Sequence, residues 1–339
     1  MLYITTRDKT ESYTSYRALH EGYAPNGGMF LPLRFPLFSP EEIGKMKENS
    51  FCENIANILN LFFSTGLSGW DVEFAIGRKP VGVTAIGRKT AVIELWKNTD
   101  GSYIACADRI YRLLTGNKMA SNHQRGWAYI AIKIAFLFAT WSMQECHAVE
   151  YMDIAVSGGD FENAIAAWYA RNMGLPIGKI IWGSNENCGV WDLLHKGQMD
   201  MGAAVISTDT PQMDVVAPAG VERLIYGTLG LQETLLYLQA VNSKSCYRLD
   251  ADKLSRLNEG MFCSVVGKNR GQDIIKSVYG SYGYLINPYT ALSYGALQDY
   301  RAKSGENKMT VLLSEEKASA YYPVIAQATG LSQEQINLL

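Results

Sequence analysis

Short apolar runs alternate with longer runs of helical periodicity along most of this chain, which predicts strands and helices in succession. Ser39-Pro40-Glu41-Glu42 opens the first clear helix, with serine at the cap, proline at the first position and acids in the first turn. Residues 51–64 form a second amphipathic helix. Between 80 and 97 the pattern becomes extended, and PVGVTAI and TAVIELW read as strands. A helix follows Asp108 through Leu114, and a long apolar one covers 124–143. A strand at 151–156 runs into Gly158-Gly159, a helix spans 162–173, and Gly174 and Pro176 stop it before a strand at 178–184. A helix near 221–240 and a strand at 309–313 complete the series. Strand–loop–helix–strand alternation predicts an α/β fold with a parallel sheet covered by helices.

Composition narrows the class. The chain has 339 residues, enough for two domains or one large domain with an appendage, and enough to bury a core without staples. Lys plus Arg number 31 against 33 Asp plus Glu, so the basic excess of a nucleic-acid or anionic-membrane binder is missing. The six cysteines and four histidines are scattered, with no C-x-x-C; even the adjacent Cys146 and His147 lack ligand spacing, so no metal is expected. Single scattered cysteines suit a reducing, cytoplasmic setting. The first residues, MLYITTRDKTESY, lack the apolar core of a signal peptide. The 124–143 helix carries Arg125 and Lys133, which favours a buried helix over a membrane span.

The candidate chemistry centres on Ser157-Gly158-Gly159-Asp160-Phe161-Glu162-Asn163, a strand-to-helix turn. Free N–H groups at a helix start suit a phosphate. Two acids in the same turn oppose one, and a plain tight turn is the commoner explanation. No G-x-x-x-x-G-K-[ST] or G-x-G-x-x-G motif is present, and no Ser-His-Asp arrangement supports a hydrolase.

Several separate stretches together resemble the threonine synthase family, pyridoxal-phosphate enzymes of the tryptophan-synthase-β-like fold (fold type II). They are YITTR and GYAPNGGMFLP near the start, AVIELW, SGGDFENAIAAWYARNMGLPIGKIIWGSNEN, PQMDVVAPAGVERLIYG, GYLINPYTALSYGAL and TVLLSEEKASAYYPVIAQATGL. They occur in the family's order and cover most of the chain. The resemblance implies an N-terminal domain at 1–85 and a large α/β domain at 86–339. It also implies a phosphate loop at 158–163, and makes Ser314 the hydroxyl that faces the pyridine nitrogen.

Three departures argue against that chemistry. The family follows its E-L-[FW] strand with G-P-T-x-A-F-K-D, whose lysine forms the Schiff base; aligning the aspartate with Asp108 puts Ala107 at the lysine, and an alanine forms no imine. The family loop G-N-F-G-N is here Gly159-Asp160-Phe161-Glu162-Asn163, so an acid replaces the second glycine. A carboxylate about 4 Å from a phosphate charge is repelled by roughly 1 kcal/mol in water and about 4 kcal/mol at an effective dielectric near 20. The family's small middle domain has no counterpart between IYRLLTGNKMASNHQ and GWAYIAIKIAFLFATW.

The resemblance with its departures therefore implies a catalytically dead relative that binds no cofactor. Gly158, Gly159, Asp160, Phe161, Glu162, Asn163 and Ser314 would be vestigial. Asn185, Glu186 and Asn187 would line a remnant cleft at the carboxyl edge of the sheet, made acidic by Asp160, Glu162 and Glu186 and suited to a small cation such as an amine. The surface left by the lost domain would seek a protein partner or a second copy. The alternative is an active threonine synthase or related lyase using another lysine. Lys97 and Lys133 are the candidates, although Lys97 is more simply a solvated loop residue, and Lys133 one that snorkels. Trp168 and Tyr169 read as core. The tyrosine run at 277–289 is either an interface or strand and loop packing.

Overall fold

Local capping fixes several helix starts. Ser39, Ser50 and Ser68 each accept from a backbone N–H three residues on, with an acid returning the bond in a capping box. The computed structural model describes residues 1–78, 81–97, 101–116, 126–143 and 151–339. Its strands are β1 (Leu2–Thr5), β2 (Asp8–Thr14), β3 (Phe30–Pro32), β4 (Gly82–Ala85), β5 (Thr90–Glu94), β6 (Met152–Val156), β7 (Ile177–Ser184), β8 (Gln198–Asp200), β9 (Cys246–Arg248), β10 (Met261–Val265) and β11 (Thr310–Ser314).

The main sheet has six strands in the order β10-β7-β6-β11-β5-β4. All neighbours are parallel except β4, which pairs antiparallel with β5 at the edge. β5, β6 and β11 are buried along their whole length, as strands covered on both faces must be. The expected parallel, helix-covered α/β sheet is therefore present. β1, β2 and β3 make a small antiparallel sheet, and β8 pairs with β9. β4, which falls just inside the N-terminal unit expected to end at 85, pairs with β5 of the large sheet.

The Trp127–Trp141 helix is buried at every residue, Lys133 included, and packs on Phe51–Phe63 and Glu162–Asn172. Trp127 collects Tyr3, Phe35, Phe62 and Tyr169 in edge-on contacts, which joins the N-terminal unit to the large sheet through one aromatic cluster. Tyr169 is core, as expected, whereas Trp168 is partly buried against it. Arg223, also buried, donates to the Phe30 carbonyl at 2.6 Å and binds the same two units.

Two helices differ from expectation. The helix expected after Asp108 starts at Tyr103, because Ser102 caps it, so Ala107 and Asp108 lie inside it. The helix expected near 221–240 is two, Gly220–Leu229 and Leu231–Ser243, broken at Gly230, whose φ of 86° favours glycine. The tyrosine run at 277–289 belongs to no strand: it closes the Lys268–Tyr282 helix and leads into Pro288–Ser304. Among the described residues no helix is long and apolar enough to cross a membrane, and no cluster of three or more His, Cys, Asp or Glu is placed to hold a metal. Cys146 and His147 lie outside the described residues.

Candidate functional site

β6 ends at Val156 and the chain turns through Ser157 to Asn163 into the Glu162–Asn172 helix. Gly158 and Gly159 have φ of 110° and 50°, and Phe161, without the excuse of being glycine, has 68°. Surrounding contacts hold this strained residue. The Phe161 ring is fully buried edge-on against Trp182 at 4.7 Å, and the Gly220 N–H donates to the Asp160 carbonyl at 2.7 Å. A Cβ on Gly220 would lie 2.6 Å from that carbonyl oxygen, so the approach requires glycine. Asn163 closes the turn: its amide donates to the Ser157 carbonyl at 2.8 Å and to Glu315 Oε2 at 2.9 Å.

The turn opens on a cleft of about 410 Å³, within the range of small-molecule sites. Gly158, Gly159, Asp160 and Glu162 form one wall; Ser102, Tyr103, Ile104, Tyr129, Lys133, Gln212, Glu315 and Glu316 supply the rest. Among the described residues, four carboxylates therefore line the cleft with one lysine. Lys133 Nζ sits 2.7 Å from Glu315 Oε1 and 5.0 Å from the Tyr103 ring centre. This lysine is buried and points into the cleft, so it does not snorkel to the surface. Glu316 accepts from Tyr321, and Asp108, below the cleft, accepts from Tyr129.

Glu162 differs from its neighbours. It is half-buried, and its carboxylate makes no hydrogen bond or ion pair among the described residues. Burial is the largest influence and pushes the carboxyl up to about 7; Glu315 and Asp160 push the same way, while Lys133 and Arg223 oppose them. Tyr103 is buried, and its hydroxyl has no hydrogen-bond partner among the described residues. Burial first, then the charges of Glu315 and Glu162, drive its pKa well up, so the hydroxyl stays neutral.

Not every expected residue reaches this cleft. Ala107 is wholly buried in the core and does not line this cleft. Ser314 is buried at the end of β11, bonded to Trp96 Nε1 at 3.2 Å and Asn287 Nδ2 at 3.3 Å, and acts as a strand-end connector. Asn185, Glu186 and Asn187 lie outside this cleft, and Asn185 and Glu186 line a smaller neighbouring cavity instead. Asn185 donates to Thr208, Thr210 and Asp214, Asn187 bonds Ile206 and Asp214, and Glu186 accepts from the Lys268 N–H, so the three fasten the 206–214 loop. They follow β7, one strand farther from the cleft than β6. The acidity expected from Glu186 comes instead from Glu315 and Glu316. The signal was the acid pair that follows the apolar run of β11. Lys97 is tied to the buried Glu94 at 3.3 Å, beside the Trp96 ring.

Residues 2–77 match the family model described as the threonine synthase N terminus. Threonine synthase-like 1 of Mus musculus is 23% identical over 299 residues, 83% of this chain and 38% of its own length. Threonine synthase of Pseudomonas aeruginosa is 24% identical over 193 residues, 56% of this chain and 40% of its own length. For threonine synthase-like 1 of Pongo abelii, 24% identical over 185 residues, the chain spans 24% of the relative's length. Among solved structures, threonine synthase from yeast superposes with a TM-score of 0.87 at 15% identity, covering all of this chain and 94% of its own. The pyridoxal-phosphate-bound threonine synthase of Brucella melitensis gives 0.86 at 18% identity, covering 98% of this chain and 92% of its own. With a cofactor-bound structure among these neighbours, the expectation that none binds gains no support.

Proposed function

We propose that this chain is a member of the threonine synthase family that has given up covalent pyridoxal-phosphate catalysis and kept its cleft as a binding site. The observation that carries the reading is Glu162. An unpaired carboxylate stands in the first turn of the helix where a phosphate would be held, and Asp160 is beside it. A phosphate there would put negative charge against a carboxylate that burial already makes hard to ionise. The other two requirements are poorly met as well. The Ala107 methyl is packed in the core, and Lys133, the lysine that lines the cleft among the described residues, is held by Glu315. These residues do not fit a phosphorylated aldehyde, and no catalytic step is assigned through one.

The test is a pyridoxal-phosphate titration of the full chain, followed by borohydride reduction and peptide mass mapping. The expected result is an absorbance equal to the sum of the components and no reduced adduct. A new visible band with an adduct fixed in the chain would overturn the reading; an adduct on Lys133 would favour the second one, an active lyase using that residue, whose support is its position in the cleft.

The direct step in sequence from IYRLLTGNKMASNHQ to GWAYIAIKIAFLFATW supports a further part of the proposal, that the family's small middle domain is largely absent. A second copy or another protein would then cover the exposed side of the cleft, with no role for nucleic acid or a membrane. Light scattering on purified protein tests this, and a strict monomer with no co-purifying chain counts against it.

A further inference from the structure

We propose that the cleft is a site for a primary ammonium group, held by the Tyr103 hydroxyl and the Glu162 carboxylate. The proposal rests on the reading that no phosphorylated aldehyde occupies the site, and names what does.

Two independent observations meet here. The first is charge: among the described residues, Asp160, Glu162, Glu315 and Glu316 line the cleft together with one lysine, Lys133. Lys133 and one Glu315 oxygen neutralise each other at 2.7 Å, and Asn163 takes the other Glu315 oxygen. The negative charge left over belongs to Glu162 and Glu316. The second is an orphan. Tyr103 is only 3% exposed, and its hydroxyl oxygen is fully buried without a hydrogen-bond partner among the described residues. A buried hydroxyl without a partner keeps the cost of leaving water, so such groups are normally satisfied by something. A phenol oxygen and a carboxylate are both acceptors for N–H, and an ammonium has three to give. An anionic ligand would satisfy the phenol as an acceptor but would meet Glu162 and Asp160 directly. A cation satisfies both. The volume of about 410 Å³ admits a diamine or an amino acid.

Isothermal calorimetry on the full chain tests this with 1,4-diaminobutane and with L-valine, using 1-butanol and inorganic phosphate as controls. At least one amine should bind with unit stoichiometry. Glu162→Gln and Tyr103→Phe, both close in size, should each weaken binding about tenfold or more. Circular dichroism confirms that each variant is folded, and either one suffices if the other is not. Binding of the diamine alone identifies an alkyl amine as the ligand; binding of both shows that an α-ammonium suffices. The groups facing Glu162 are Asp160 on its own turn, Lys133, Glu315 beyond β11, Arg223 and Tyr103. Of these, Glu162 has its carboxyl at about 7, so affinity should fall roughly tenfold from pH 8 to pH 6. No amine binding, amine binding untouched by both substitutions, or phosphate binding as tight as amine binding would each overturn the proposal. Failure of the underlying reading is seen separately, as the reducible pyridoxal-phosphate adduct described above.

Discussion

Replacing Glu162 by glutamine should make the protein more stable, and only at neutral to alkaline pH. Folding raises this carboxyl from 4.5 to about 7, so the native state keeps a proton that the unfolded chain releases over that interval. The stability this group contributes is fully present below pH 4.5 and is lost as pH rises through about 7. A rise of that size corresponds to about 3 kcal/mol as an upper limit; solvent reaching the carboxylate from the cleft brings it nearer 2 kcal/mol. Glutamine has the same shape and never ionises. At pH 8 the variant should be about 2–3 kcal/mol more stable in urea denaturation, and the gap should close by pH 5. For a chain of 339 residues this is a Tm increase of about 3–4 °C in scanning calorimetry at pH 8. A gap that does not change with pH, or a less stable variant at pH 8, would refute the account of Glu162 as an unpaired, poorly solvated acid. An amine ligand should reverse the order, since it stabilises only the ionised wild type.

Other substitutions probe the supports of the cleft. Lys133→Met strands Glu315, whose side chain is 28% exposed, and should cost about 2–3 kcal/mol in urea; the double variant with Glu315→Gln should regain most of that. A loss under about 0.5 kcal/mol would mean the pair is decorative. Gly220→Ala pushes a methyl to 2.6 Å from the Asp160 carbonyl and should cost about 1–3 kcal/mol, with a lower melting temperature as the readout. Ala107→Lys forces a long cation into a fully buried site; it should cost more than about 3 kcal/mol or yield insoluble protein, and it should not create a coloured adduct with pyridoxal phosphate.

The large sheet was legible because its strands are short apolar runs between helix signals, and the Ser39 step announced its helix through capping chemistry alone. The site was only half legible. Gly158 to Asn163 declared a strand-to-helix turn, which the structure places in the cleft wall. Lys133 was ambiguous, because periodicity puts it in an apolar helix without saying which neighbour faces it; Glu315 decides that from 182 positions away. Which cavity Asn185 to Asn187 would border was open for the same reason. The carboxyl ends of β6 and β7 look alike in sequence, and only the strand order determines which one borders the cleft. Tyr103 carried no signal, since a missing hydrogen-bond partner is a property of packing.

The position of β11 bears on how the chain comes to be assembled. This strand is encoded near the carboxyl end yet lies between β5 and β6, bonded to both. During synthesis the earlier strands leave the ribosome as two half-sheets, each with an unpaired inner edge, until residues 310–314 arrive. Nascent chains stalled before that point would expose sticky backbone on both sides of the gap and become clients for chaperones. A premature stop just ahead of Thr310 would therefore remove the keystone of the whole molecule, where the same loss from an edge strand would trim only its margin.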